Sequence, residues 1–227
     1  SIRHGAGDIA GAARLTQAGI WLACLMAVVA GLLLWNLKPV LLLFGQTESN
    51  VTMAGQFLTI LPFALPGYLT FMALRGFTSA IGRAAPVMVI SVIGTVANFV
   101  LNYALITGMF GLPKMGLVGI GLVTAIVASC MALGLAWHIH RHPAYAAYPL
   151  RKGLSRLNGQ YLRELWRLGL PIGGTYAVEV GLFAFAALCM GTMGSTQLGA
   201  HQIALQIVSV AFMVPAGMSY AITMRIG

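Results

Sequence analysis

The chain has 227 residues, of which 59% are hydrophobic and 7% charged, and it carries a net charge of +9. A soluble domain carries about 25% charged residues, so a surface this poor in charge is excluded from water and must face lipid. In lipid every backbone N–H and C=O has to be bonded within the protein, which leaves helices or a closed barrel. The apolar runs are long and show no strict alternation, so helices are selected. The positive charge does not point to nucleic acid, because the basic residues lie in short loops between apolar runs.

A span needs about 20 mostly apolar residues. The sequence predicts the first from about Thr16 to Phe44, preceded by the turn Gly5-Ala6-Gly7-Asp8. The second runs from about Val51 to Gly76, after the polar loop Gly45–Asn50. In it Gln56, Pro62 and Pro66 fall at roughly helical spacing, and two prolines four apart disturb the backbone ladder. The third is about Ala85 to Met109 and the fourth about Gly116 to Ile139. A basic, polar stretch, His140–Arg167, follows and ends in the amphipathic segment Gln160–Arg167, which is expected to lie at the membrane surface. The fifth span is about Leu168 to Met193 and the sixth about Leu198 to Met224. No signal peptide precedes the first span, and the chain starts at Ser1 and stops at Gly227, so it is read as a piece of a longer protein.

Basic residues in alternate loops set the orientation. One set of loops (Ser1–Leu15, Arg75–Ala84, His140–Arg167 and the end at Arg225) holds eleven of the 13 Lys and Arg residues, and the other holds only Lys38 and Lys114. Both ends and the long basic stretch are therefore expected in the cytoplasm. The stretch divides the chain into residues 1–142, a linker 143–167, and residues 168–227.

Polar groups inside spans are expensive and so carry information. Of the four acidic residues, Asp8 and Glu48 fall in loops and Glu164 in the surface segment. Glu179 alone is deep in a span. In a low-dielectric interior its carboxyl would have a raised pKa, fit for binding a proton, Na⁺ or an organic cation. The alternative is a protonated Glu hydrogen-bonded to a neighbouring helix. In the third span Ser91, Thr95, Asn98 and Asn102 are spaced 4, 3 and 4 apart, which puts them on one face. The two Asn need partners from a cavity or from another helix, whereas Ser91 and Thr95 are expected to bond their own backbone. The sixth span carries Gln202, Gln206 and Ser209, with His201 beside Gln202. Tyr176, Gln202 and Gln56 join Asn98 and Asn102 as expected cavity-lining residues. His138, His140 and His142 sit at the interface, where head-group contact is the plainer reading and zinc a weak one. Cys24, Cys130 and Cys189 lie in apolar runs and read as small buried residues. No Walker motif, metalloprotease helix or nucleophile–base pair is present, which argues against an enzyme.

Several stretches taken together resemble the multidrug and toxic compound extrusion (MATE) family, in its bacterial NorM-type branch. They are Gly5-Ala6-Gly7-Asp8, Pro66-Gly67-Tyr68 with Arg75-Gly76, Asn98-Phe99-Val100-Leu101-Asn102-Tyr103, and Gly108-Met109-Phe110-Gly111-Leu112-Pro113 leading to Gly119. Then come Leu168-Gly169-Leu170-Pro171-Ile172, Glu179, Ala200-His201-Gln202-Ile203-Ala204-Leu205 and Met224-Arg225-Ile226-Gly227. They stand in family order over nearly the whole chain. The resemblance implies an all-α integral membrane protein: six transmembrane helices, numbers 3 to 8, of a twelve-helix fold with two lobes. Residues 1–142 would be helices 3 to 6, residues 168–227 helices 7 and 8. Glu179 would be the helix 7 glutamate tied to cation coupling, and Asn98 and Asn102 the polar positions lining the N-terminal lobe.

The implied activity is export of lipophilic or cationic drugs by alternating access, in antiport against Na⁺ or H⁺, with no cofactor. The full-length protein would be a monomer in the bacterial inner membrane. A flippase of lipid-linked or amphipathic substrates is the alternative and would call for a cationic cavity. A membrane-embedded enzyme, the alternative from another class, would need paired catalytic groups at one depth, and none is seen.

Overall fold

A computed structural model describes residues 9–39, 48–108, 115–148 and 159–226. The expected turn at residues 5–8, the loop at 45–47, the stretch 109–114 with Lys114, and the middle of the basic linker at 149–158 lie outside these. Among the described residues all regular structure is helical, and six helices are long and apolar enough to cross a membrane. They are α1 (Ile9–Trp35), α2 (Glu48–Ala80), α3 (Ala85–Thr107), α4 (Gly116–Arg141), α5 (Gly159–Met193) and α6 (Ser195–Ile226), with a 3₁₀ turn at Pro143–Tyr145. The chain divides into two compact units, Arg3–Asn158 and Gly159–Gly227.

In the first unit α2 packs against α1 and α4, and α4 packs against α3. The core joins Ala13 of α1, Phe71, Leu74 and Phe77 of α2, Val87 of α3 and Leu135 of α4. Tyr145 and Tyr148 close it, their rings packed on Phe77 at 6.2 and 5.3 Å. Apolar burial drives little of helix association when lipid is the alternative, so close van der Waals approach has to do it. At Gly67 the backbone of α2 comes close to that of α4. A Cβ built on it would stand 2.7 Å from the Ser129 nitrogen and 2.8 Å from its Cα, so only glycine permits this crossing.

Pro62 and Pro66 lie inside a continuous α2. Proline has no N–H to give, so the Leu58 and Pro62 carbonyls lose their usual helical donors. Next to the first of these, the Trp35 indole of α1 donates to the Thr59 carbonyl at 3.0 Å. That bond ties α1 to α2 where the ladder is interrupted.

The second unit is the pair α5–α6. The two helices are joined at Gly194, whose φ of 133° is open to glycine and strained for other residues. Both helices also contain proline, Pro171 and Pro215.

Three sequence expectations are corrected. The second span does not end at Gly76: α2 runs on to Ala80, and Arg75 is part of a membrane-spanning helix rather than of a loop. The fifth span does not start at Leu168: the segment Gln160–Arg167 forms the opening turns of α5, a single helix of 35 residues. Pro171 removes the bond to the Arg167 carbonyl but does not terminate the helix. The three cysteines are exposed rather than buried, because each stands on a helix face that its own unit leaves uncovered.

Candidate functional site

Seven hydroxyls, those of Thr16, Thr59, Thr78, Thr107, Thr124, Thr175 and Ser209, donate to the carbonyl four residues back in their own helix. This is how a hydroxyl satisfies itself in an apolar setting. Among the described residues Ser91 and Thr95 make no such bond, contrary to expectation. Both instead line an open-sided cavity of about 330 Å³ between α2, α3 and α4.

The cavity wall follows from helix spacing. Tyr68, Phe71, Met72 and Arg75 come from α2, at offsets that share one face. Ser91, Gly94, Thr95 and Asn98 form the α3 stripe, and Thr124, Val127, Ala128 and Met131 complete the wall from α4. Gly94 leaves room for the Met131 side chain, which a Cβ there would strike. Most of the lining is apolar, with polar groups few and grouped, the usual make-up of a small-molecule pocket.

Asn102 is not among the lining residues. Its Nδ2 donates to Asn98 Oδ1 at 2.9 Å. This turns the Asn98 amide so that its acceptor is occupied, and its NH₂ finds no partner among the described residues. Asn102 Oδ1 is buried and unbonded. Arg75 likewise has no ion pair or side-chain hydrogen bond among the described residues. Sequence reasoning missed Arg75 because a charge at the end of an apolar run looks like the start of a loop. Its place two turns after Tyr68, on the Tyr68–Phe71–Met72 face, was the available signal.

Glu179 lies elsewhere. It is in the middle of α5, about 30 Å of helix from Gly159 and about 21 Å from Met193 at 1.5 Å per residue. It is exposed in this structure, not enclosed as the sequence reading expected, because α6 covers only part of α5. Tyr176 is one turn away on the same face, and its hydroxyl lies near that of Tyr220 on α6. Tyr220 was missed, since nothing local in sequence relates it to position 176. Gln202 and Gln56 are both exposed, and neither lines a described cavity. His201 keeps a buried, unpartnered Nε2 beside Gln202.

Below α4, His138 and His142 pair at 5.3 Å and both rings pack on Tyr145. Their spacing of four, rather than the alternation of three histidines, is what the helix uses. No group of three metal-ligating side chains occurs among the described residues. Burial pushes the Tyr145 hydroxyl above its ordinary pKa, an effect partly opposed by Arg83.

The sequence and this architecture have clear relatives. The MatE family model matches residues 1–104 and 171–227. A probable multidrug resistance protein NorM from Pseudomonas syringae pv. tomato is 74% identical over all 227 residues, which cover 49% of that protein. The protein of the same description from Pseudomonas aeruginosa is 60% identical over the whole chain and 46% of its own length. A crystal structure of the eukaryotic MATE transporter AtDTX14 matches 98% of this chain and 49% of its own, with a TM-score of 0.84 at 22% identity. The chain thus spans about half the length of the curated relatives it matches. Its six apolar helices have the fold of that transporter over the matched half, and by sequence the chain belongs to the MatE family.

Proposed function

We propose that the intact protein exports organic cations and drugs across the bacterial inner membrane, by alternating access and in antiport against Na⁺ or H⁺. The observation that carries this reading is Glu179, an acidic side chain at the middle of a membrane-spanning helix. A carboxylate at that depth is costly unless it is neutralised by a proton, a metal cation or a cationic cargo. The binding of each would then bias the balance between inward and outward states through its different affinity for the two. Tyr176 and Tyr220 offer hydroxyl oxygens and aromatic faces next to the acid, both suited to a lipophilic cation. The names of the NorM relatives agree with drug transport.

On this reading residues 1–142 belong to one lobe and 168–227 to the other, with both ends of the chain cytoplasmic. The test is ethidium efflux from membrane vesicles containing the intact protein, driven by an imposed Na⁺ or H⁺ gradient. Glu179→Gln should abolish gradient-driven efflux while the protein stays in the membrane at normal level. Full efflux by that variant would remove Glu179 from the mechanism.

A second reading, a flippase for amphipathic substrates, calls for a cationic cavity. Arg75 on the cavity wall is the observation in its favour.

A further inference from the structure

We infer that His142 and the turn Pro143–Tyr145 form a pH-sensitive clasp, which fastens the start of the stretch joining the two units to the α1–α4 bundle and opens when His142 takes up a proton. This goes beyond the transport reading and does not depend on it.

The clasp is built at the end of α4. His142 closes that helix, its N–H bonded to the His138 carbonyl at 3.0 Å. Its backbone is extended, with φ −82° and ψ 126°, and it opens the 3₁₀ turn. Pro143 takes the first position of the turn, where it has no N–H to satisfy. The next N–H, that of Ala144, donates to His142 Nδ1 at 3.2 Å. The N–H groups of Tyr145, Ala146 and Tyr148 donate to the carbonyls of His142, Pro143 and Tyr145 at 3.1, 3.0 and 2.9 Å. The turn thereby delivers Tyr145 and Tyr148 to the core beside Phe77, Val87 and Ile139, and Tyr145 is only 2% exposed there.

The bond to Nδ1 exists only for a neutral imidazole. In the cation both ring nitrogens are donors, so the Ala144 N–H would face a second N–H. Histidine is the side chain that changes charge between about pH 5 and 8. The charged and titratable groups around it come from several elements. His138 stands 5.3 Å away, ring to ring. Arg141 of α4 lies over the Trp137 ring at 5.6 Å, and His140 shares the same last turn. Arg83, between α2 and α3, acts on Tyr145. Arg14 of α1 follows the core residue Ala13. Tyr145 and Tyr148 add two phenols. Asp8 lies outside the described residues, and the one acid described in this unit, Glu48, is at the far end of α2 from Phe77. The C-terminus of α4 and the face of Tyr145 favour a charged ring, but neither restores the lost acceptor. The clasp is therefore complete above the histidine range and lost as the pH falls through it. Acid on the side of the membrane where this turn stands would free the first residues of the connection between the units.

Hydrogen–deuterium exchange of the intact protein in phosphatidylcholine nanodiscs tests this at about pH 8 and about pH 5, the ends of the histidine range. Exchange rates are divided by the intrinsic rates at each pH, so that protection is compared. In the wild type the amides of residues 144–148 should lose protection by about three- to ten-fold at the lower pH, the factor for one hydrogen bond. Those of residues 123–132, in the middle of α4, should keep theirs. His142→Ala should lack the extra protection at both pH values. His142→Asn carries an oxygen that caps a turn without titrating, and it should keep the protection at both. Equal protection of the wild type at the two pH values overturns the inference. So does a His142→Asn variant that loses protection as the wild type does, because another group is then the sensor. A His142→Ala variant protected like the wild type at about pH 8 also overturns it, because the cap then does not hold the turn. The amides in the middle of α4 report whether each variant is folded. Ethidium efflux is a separate readout, so failure of the transport reading and failure of the clasp are distinguishable.

Discussion

The two units differ in how much of each helix the chain itself covers. In α1–α4 whole faces are enclosed: Leu135 and Thr78 are 0% exposed, and the glycine at position 67 sets two backbones in contact. In α5–α6 Val178 is 76% exposed, and among the residues of these helices whose burial is described none is buried. The helices of both units are apolar, with a mean hydropathy of 1.6 in α5 and α6 against 1.7 to 2.3 in α1–α4, so the difference is one of partners. The α1–α4 faces meet each other, whereas the outer faces of α5 and α6 meet lipid or other protein. This matters for the candidate residues. The α3 stripe has a cavity built around it by its own unit, while Glu179, Gln202 and Gln206 have one built, at most, in part. The cavity presents donors and a cation, and α5–α6 presents an acid.

The sharpest way to break this comparison is at Glu179. Gradient-driven ethidium efflux should fall at least 100-fold in Glu179→Gln, and Asn98→Ala should reduce it by about three- to ten-fold, near the ~1 kcal/mol range of a single neutral hydrogen bond. An equal loss in both would mean that the units do not divide the work. Packing gives the next largest effect. Gly67→Ala forces a methyl against the α4 backbone and should destabilise the protein by about 1–3 kcal/mol. Gly173→Ala, with no atom near its added methyl, should change stability by less than about 1 kcal/mol. Thermal unfolding of both variants in detergent checks the contrast, and similar losses would mean that α5 is as tightly packed as α2. Trp35→Phe removes the indole bond to Thr59 and should cost about 1 kcal/mol in the same assay.

The smallest effect is at the Tyr145 hydroxyl, which is buried without a partner. Tyr145→Phe should be neutral or stabilising by up to about 1 kcal/mol. Its pKa is raised above 10.0 in the folded protein. An acid whose folded pKa is raised contributes stability below its unfolded value and loses it as pH rises through the folded value. Wild-type stability should therefore decline above about pH 10, and Tyr145→Phe should lessen that decline. An identical alkaline profile for the two proteins would show that Tyr145 does not titrate on unfolding.

Much of this was legible in the sequence. Charge poverty and run length gave all six helices, and the 4-3-4 spacing of Ser91, Thr95, Asn98 and Asn102 marked the polar face of α3 before any cavity was seen. The errors share a cause: polar residues were taken as punctuation. Arg75 and the segment Gln160–Arg167 interrupt the apolar pattern, yet a helix continues through them because its backbone bonds do not depend on side-chain polarity. Other features had no local signal. The neighbour of Tyr176 on α6 is 44 positions away at Tyr220. The approach of Gly67 to Ser129 depends on how two helices cross, and Arg75 joins Asn98 only when α2 and α3 share a cavity. The expected enclosure of Glu179 assumed neighbours that α6 alone does not supply.

The central claim is that the Glu179 carboxylate of α5 takes the cation. The most direct measurement is the binding of ethidium to the intact protein in three forms: wild type, Glu179→Gln and Asn98→Ala. Glu179→Gln should weaken ethidium at least 10-fold, and Asn98→Ala by a smaller factor. If Glu179→Gln binds ethidium as tightly as the wild type does, the claim is wrong.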